Sequence, residues 1–200
     1  MREIFKQNFK NIPIYDGLST KIPFEDNFFQ IVFIAQAFHW FSNIESLTEI
    51  LRVLKPQSHC ENGKSGLVML FNIEDCKHET YMQDLFHLWS KYDKVIPSVY
   101  YKLDWKKIFE TNEAKTLFSE INLKYHENKE LYLPIQHVWN RILSKSFIAT
   151  LDETVRISVK KEVESIVEKN KNLHVYREDL KQVCLQYPYV TLSAWCFGNK

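Results

Sequence analysis

The most constraining stretch of this chain is a strand–helix–strand pattern over residues 28–71. Residues 28–35 are an apolar run, rich in Phe, Ile and Val and interrupted only by Gln30. A run of that length and composition reads as a strand covered on both faces in a parallel sheet. After Gln36-Ala37-Phe38-His39-Trp40-Phe41, Ser42 stands three residues before Glu45, the spacing of a capping box. Ile44, Leu47, Leu51 and Leu54 then fall on one helical face. Lys55-Pro56 stops that helix, because proline disfavours a helical residue before it. A polar loop over 57–65 leads into a second apolar run, 66–71. Two strands joined through a helix form a βαβ unit, which crosses over right-handedly in a parallel sheet.

The rest of the chain continues the alternation. Residues 1–10 read as the tail of a helix, 12–15 as a short strand, and 16–24 as a loop. An aromatic-rich helix is predicted over 79–92 and a strand over 117–125. Pro134 opens a helix through Trp139 and Leu143. Thr150, with Glu153 as its capping-box partner, opens a longer one striped by Val155, Val159, Val163 and Ile166. The last strand is expected over 187–197. Helices and strands in alternation define an α/β fold, and 200 residues suffice for one domain with a full core.

Charge and composition narrow the partners. Lysine plus arginine number 26 and acids 25, a net charge of +1, so no global field draws nucleic acid or an anionic membrane. No stretch approaches the ~20 apolar residues of a membrane span. A small molecule or a protein is the expected partner. The four cysteines, Cys60, Cys76, Cys184 and Cys196, form no C-x-x-C pair, and no signal-peptide pattern opens the chain, which points to the cytoplasm. His59 beside Cys60, with Cys76 and His78 further on, matches no compact zinc spacing, and no metal is expected. Only four glycines are present, Gly17, Gly63, Gly66 and Gly198, and no G-x-G-x-x-G turn. A nucleotide-binding α/β domain normally needs such a turn at its first strand. Either this domain binds no such cofactor or the turn lies upstream.

Four pieces in order carry a resemblance. They are Gly17-Leu18-Ser19-Thr20-Lys21-Ile22-Pro23-Phe24-x-x-Asn27, Phe29-x-Ile31-Val32, Gln36-Ala37-Phe38-His39-Trp40-Phe41 and Glu49-x-x-Arg52-Val53-Leu54-Lys55-Pro56. Together they resemble the central part of the type 11 domain of class I S-adenosylmethionine-dependent methyltransferases. The Q-A-F-H-W-F string is similar to the trans-aconitate methyltransferase-like branch. Trp105 and Trp139-Asn140-Arg141-x-x-Ser144-x-Ser146 agree more loosely.

The resemblance implies a Rossmann-like sheet of order 3-2-1-4-5-7-6 with helices on both faces. Here it would be N-terminally truncated, with the first two strands absent and the edge of the 28–35 strand bare. It implies one partial domain over 1–200, with a cofactor-side core at 1–73 and acceptor-side helices and C-terminal strands at 74–200. Gly17, Leu18 and Ser19 would lie beside the adenine of S-adenosylmethionine, though many relatives carry aspartate where this chain has Leu18. Gln36, Ala37 and Phe38 would line the methionine end, and the family often has aspartate where Gln30 stands. His39 and Trp40 would face the acceptor pocket, while Glu49, Arg52 and Lys55-Pro56 correspond to scaffold.

For a carboxylic acid acceptor, His39 would donate a hydrogen bond and Arg141 would clamp the anion. For a hydroxyl or amine, His39 would be the general base. The bland alternatives are a packed His39, core Trp40 and Phe41, and Arg141 as a solvated charge. Two functions follow. One is a methyltransferase acting on a small-molecule acceptor as a monomer. The other is a non-catalytic remnant that binds a protein, or a second copy, through the bared sheet edge.

Overall fold

The computed structural model describes residues 2–76, 80–93, 103–126 and 131–200. His78 lies outside them, and among the described residues no group of histidines, cysteines and acids is placed to hold a metal. Nor is any described helix long and apolar enough to cross a membrane.

In chain order the elements are α1 (Arg2–Asn8), β1 (Ile31–Ala35), α2 (Ile44–Val53), β2 (Gly66–Glu74), α3 (Thr80–Ser90) and α4 (Asn112–Leu117). They continue with β3 (Asn122–His126), β4 (Leu131–Pro134), α5 (Ile135–Leu143), α6 (Ser146–Ala149) and α7 (Glu153–Lys169). Last come β5 (His174–Arg177), β6 (Gln182–Tyr187) and β7 (Tyr189–Phe197). One sheet has the order β1-β2-β7-β3 and the other β4-β6-β5. Gly66 N–H donates to Gln30 O at 3.1 Å, at the start of both β1 and β2, so these strands run parallel as the βαβ reading requires. β7 is antiparallel to β2: Gly198 N–H bonds Ser65 O at one end and Asp75 N–H bonds Pro188 O at the other, each at 3.0 Å. Taking β1 as the expected fourth strand, the order reads 4-5-7-6, the second half of the expected series. The fold is α/β and Rossmann-like.

Two compact units make up the chain. The first comprises Met1–Met69, Trp105–Asn122 and Ala194–Lys200. Its core gathers Phe38, Leu47, Ile50, Val53, Leu67 and Trp105, all buried. Burying a side chain such as Leu47 or Ile50 contributes about 1.5–3 kcal/mol. Gly66 is required here because a Cβ would collide with the Cys196 carbonyl of β7. The second unit comprises Leu70–Asp104 and Leu123–Ser193. Leu85, Trp89, Val138, Val159, Val163 and Tyr187 form the centre of its core. On α7, Val159 and Val163 of the expected stripe are buried and Val155 and Ile166 half-buried, with Val167 buried one turn beyond Val163, as a 3.6-residue period dictates.

Several local expectations are corrected. Residues 12–15 form no strand: Pro13 lacks an N–H to donate, and no strand lies alongside among the described residues. β1 is not covered on both faces. Ile31 and Phe33 alternate outward, Phe33 at 64% exposure, and β1 stands at the end of the order β1-β2-β7-β3 among the described strands. Asn43, not Ser42, caps α2, its side chain accepting Ser46 N–H at 2.8 Å. Asparagine caps at least as well as serine. Asp152 likewise replaces Thr150 at the start of α7, because Thr150 closes α6 with its hydroxyl on Ser146 O. The strand expected at 117–125 begins only at Asn122, residues 112–117 being helical under a Thr111 cap. Pro188 divides the expected final strand between the two sheets, since proline cannot donate within a ladder.

Candidate functional site

In the first unit, residues 17–26 are fastened to α2. The Glu49 carboxylate accepts Ile22 N–H at 2.7 Å and holds Arg52 through both oxygens at 2.8 Å. Arg52 donates onward to Phe24 O at 2.9 Å, Ile22 O at 3.1 Å and the Asp26 carboxylate at 2.7 Å. Hydrogen bonding to Arg52, with Ile22 N–H and the guanidinium charge adding to it against the cost of burial, brings the Glu49 pKa down to about 2. Arg52 is raised in turn, first by its bond to Glu49. The loop turns tightly, with Leu18 and Lys21 exchanging both backbone bonds at 3.2 and 3.0 Å. Gly17 is needed because a Cβ would sit 2.8 Å from the Pro23 ring. Ser46, fully buried in the first turn of α2, donates to Ser19 Oγ at 3.0 Å. Ser19 thus keeps its own proton and one lone pair for a further partner. Leu18 is 68% exposed.

Residues 36–41 run from the carboxyl end of β1 to the cap of α2. Gln36 is exposed and left-handed, with φ of 53°. That conformation costs a residue with a Cβ about 1–2 kcal/mol, and it turns the chain out of the strand. Ala37 is half-buried. Phe38 is fully buried, its ring 5.9 Å from Trp105, 5.7 Å from Phe41 and 5.6 Å from Phe109. The half-buried His39 ring lies 5.1 Å from that of Trp40, and burial lowers its pKa below 6.5. Imidazole is therefore neutral there at pH 7, able to accept a proton or a hydrogen bond. Trp40 is 57% exposed.

Ser19 reaches the first turn of α2 from the 17–26 loop, and residues 36–41 lead directly into the cap of that helix. Arg141 belongs to the second unit, where Nη2 lies 3.2 Å from Glu74 Oε1.

Glu74 is the centre of a buried network that sequence reasoning missed. It ends β2 with its side chain 3% exposed, and Lys145 Nζ lies 3.0 and 2.9 Å from its two oxygens. Tyr187 Oη donates to it at 3.1 Å, and Lys145 also sits 4.2 Å over the Trp89 ring. Burial would raise the Glu74 pKa, but Lys145, Arg141 and the hydrogen bonds outweigh it and hold the carboxyl below its ordinary value. Burial lowers Lys145 while Glu74 opposes that. With two cations on one carboxylate, the charged pair is the form that stands. The signal in sequence was a pair of acids, Glu74 and Asp75, directly closing an apolar strand. Beside the network a cavity of about 560 Å³ opens at the carboxyl end of β2.

A parallel β1–β2 pair within the β1-β2-β7-β3 sheet, with a loop docked on the helix after β1, makes a Rossmann-like α/β arrangement. Residues 1–61 match the family model described as a methyltransferase domain. The chain is 35% identical over 109 residues to the uncharacterized methyltransferase-like C25B8.10 of Schizosaccharomyces pombe (strain 972 / ATCC 24843), covering 54% of this chain and 39% of that protein. It is 43% identical over 75 residues to the uncharacterized methyltransferase C25B8.09 of the same organism, covering 38% of this chain and 27% of that protein. In those alignments it spans under two-fifths of the length of either relative. Among solved structures, the YcgJ protein of Bacillus subtilis aligns with a TM-score of 0.48 at 14% identity, covering 99% of this chain and 76% of that one. The MccD protein aligns with a TM-score of 0.39 at 16% identity, covering 90% and 65%.

Proposed function

We propose that this chain is an S-adenosylmethionine-dependent methyltransferase acting on a small-molecule acceptor such as a carboxylic acid. The observation that carries this reading is the Ser46–Ser19 hydrogen bond, 3.0 Å long, which fastens the 17–19 loop to the helix that residues 36–41 enter. The match of residues 1–61 to a methyltransferase domain supports it. In this reading Gly17, Leu18 and Ser19 hold the adenine, with Leu18 as an apolar surface and Ser19 as a hydrogen-bond partner. Gln36, Ala37 and Phe38 border the methionine end, with Phe38 fixing the backbone by its burial. S-adenosylmethionine supplies an electrophilic methyl group on sulfonium. The neutral His39 donates a hydrogen bond to a carboxylate acceptor or takes a proton from a hydroxyl, and Trp40 offers an aromatic wall. Residues 1–73 serve the cofactor and 74–200 the acceptor. The chain acts as a monomer in the cytoplasm, without nucleic acid, membrane or metal.

Calorimetric titration with S-adenosylmethionine tests this, using the 200-residue chain and a version extended upstream. Micromolar binding by the extended version, weakened at least about tenfold by Ser19→Ala together with Gln36→Gly, is the expected result. No heat at millimolar ligand in either version sinks the reading.

A second reading is favoured by the outward-facing Ile31 and Phe33 on edge strand β1. There the chain binds a protein or a second copy through that edge and needs no cofactor. Sedimentation would then show association that Phe33→Lys abolishes.

A further inference from the structure

The cavity at the carboxyl end of β2 lies within the second unit and shares no residue with the 17–19 and 36–41 loops. At about 560 Å³ it falls within the ~300–1,000 Å³ typical of small-molecule sites. Ile73, Phe86, Leu103 and Val190 supply an apolar wall, and Tyr125 adds a second aromatic ring. That wall is held in place before any ligand arrives. The Phe86 ring packs edge-on against Trp89 at 4.8 Å, and Lys145 sits 4.2 Å over the Trp89 ring.

The ionic groups around this space are already satisfied within the fold. Glu74 Oε1 receives Lys145 at 3.0 Å, Tyr187 at 3.1 Å and Arg141 at 3.2 Å, while Oε2 receives Lys145 at 2.9 Å. Its charge is neutralised where it stands. Asp75 is buried and engaged in interactions of its own. No lysine or arginine belongs to the described lining. The Cys76 thiol stays protonated at neutral pH, because burial first, then Glu74 and Asp75, push its pKa up to about 12 against the pull of Lys145. Rings, aliphatic side chains and a neutral sulfur are what the lining offers.

We propose that this cavity binds an uncharged, ring-bearing small molecule, with its ring against Phe86, Val190 and the Cys76 sulfur. Removal of the ring from water drives binding, and sulfur at a ring edge adds to it. A charged ligand of either sign would give up its hydration for a lining whose ionic groups are already paired, and that loss is costly. No chemistry on the ligand is implied and no cofactor is needed, so the site stands or falls apart from methyl transfer.

Three probes of one shape test the assignment: neutral tryptophol, cationic tryptamine and anionic indole-3-acetate, titrated calorimetrically into the full chain at pH 8 without cofactor. Tryptophol is expected to bind at least about tenfold tighter than either charged probe. Val190→Trp, which fills the cavity and alters no charge, should abolish tryptophol binding, with circular dichroism confirming the fold. Gln83→Trp, entering from α3, repeats that measurement should the first variant not fold. The proposal is overturned by either charged probe binding as tightly as tryptophol, by no binding of any probe, or by tryptophol binding that survives a folded filling variant. Because the wild-type comparison needs no variant, it decides between neutral and charged ligands by itself.

Discussion

Glu49 accepts the backbone N–H of Ile22 at 2.7 Å, across 27 residues of sequence, and so ties a loop to the helix that follows it. Its carboxylate does two jobs, since the same oxygens orient Arg52 towards Ile22 O and Phe24 O. Glu49→Ala should release the segment, at a cost of about 1–3 kcal/mol for the hydrogen bonds to a charged group. Hydrogen exchange at Ile22 should accelerate, and proteolysis should move to residues 17–26. The folded pKa of about 2 lies below the unfolded 4.5. The contribution of this carboxylate is therefore complete above about 4.5 and lost as pH falls towards 2. Urea midpoints from pH 5 to pH 2.5 should fall less in Glu49→Ala than in the wild type.

Glu74 should be the most sensitive position in the second unit. Glu74→Gln leaves Lys145 buried without its counter-charge, and breaking such a pair costs about 3–5 kcal/mol. Adding Lys145→Met should recover part of the loss, measured by urea denaturation at pH 7. Because the folded carboxyl titrates below its ordinary 4.5, its contribution is present above that pH and lost as pH falls through the folded value. If the double variant is no more stable than Glu74→Gln alone, the pairing is not the source of the effect.

Gln36 separates strain from function. Glycine relieves the left-handed backbone at φ of 53°, so Gln36→Gly should leave stability unchanged or raise it by up to about 1 kcal/mol. Gln36→Val should lower it, because a β-branched residue tolerates that region poorly. Thermal melting decides. A loss of S-adenosylmethionine binding in the stable glycine variant would place the function in the Gln36 side chain.

The adjacent aromatics should behave oppositely. Phe38→Ala opens a cavity among Trp105, Phe41 and Phe109, and such truncations cost about 3–5 kcal/mol. Trp40→Ala, at a half-exposed site, should change stability by at most about 0.5 kcal/mol. Equal losses in a denaturation experiment would contradict the burial that distinguishes them.

His39 should give stability a pH slope near neutrality. Burial lowers its folded pKa, while the unfolded chain takes up a proton at about 6.5. The unfolded state then binds more protons, so stability falls as pH drops below about 6.5 and is restored above it. His39→Gln should flatten that part of the profile between pH 7 and 5.

The first half of the chain was legible because its order is local. Apolar runs, a helical stripe and the stop at Lys55-Pro56 locate β1, α2 and β2 without any knowledge of partners. What sequence could not convey was which face each strand buries. The run at 28–35 looks covered on both sides, yet Phe33 points outward, because coverage depends on elements far away in sequence. The second sheet was missed for the same reason: β4, β5 and β6 are four to six residues long, and β4 finds its partner about fifty residues later. The site divides likewise. The 17–19 and 36–41 loops were singled out by motif, whereas Ser46, which bonds Ser19, looked like an ordinary helix residue. Glu49 and Arg52 looked like scaffold, and their spacing of three gave no hint that Glu49 takes the Ile22 amide 27 positions upstream while Arg52 donates to the Ile22 and Phe24 carbonyls.

Pro188, the lone residue between β6 and β7, carries a constraint on evolution. Tyr187 before it reaches inward to Glu74, and Leu192, Ala194 and Cys196 after it are buried at every second position. Parity across that single residue decides which side of β7 faces inward. One added or deleted codon there would turn Tyr189, Thr191 and Ser193 into the interior, so length variation among descendants of this gene should be silent in the loops and forbidden at this joint.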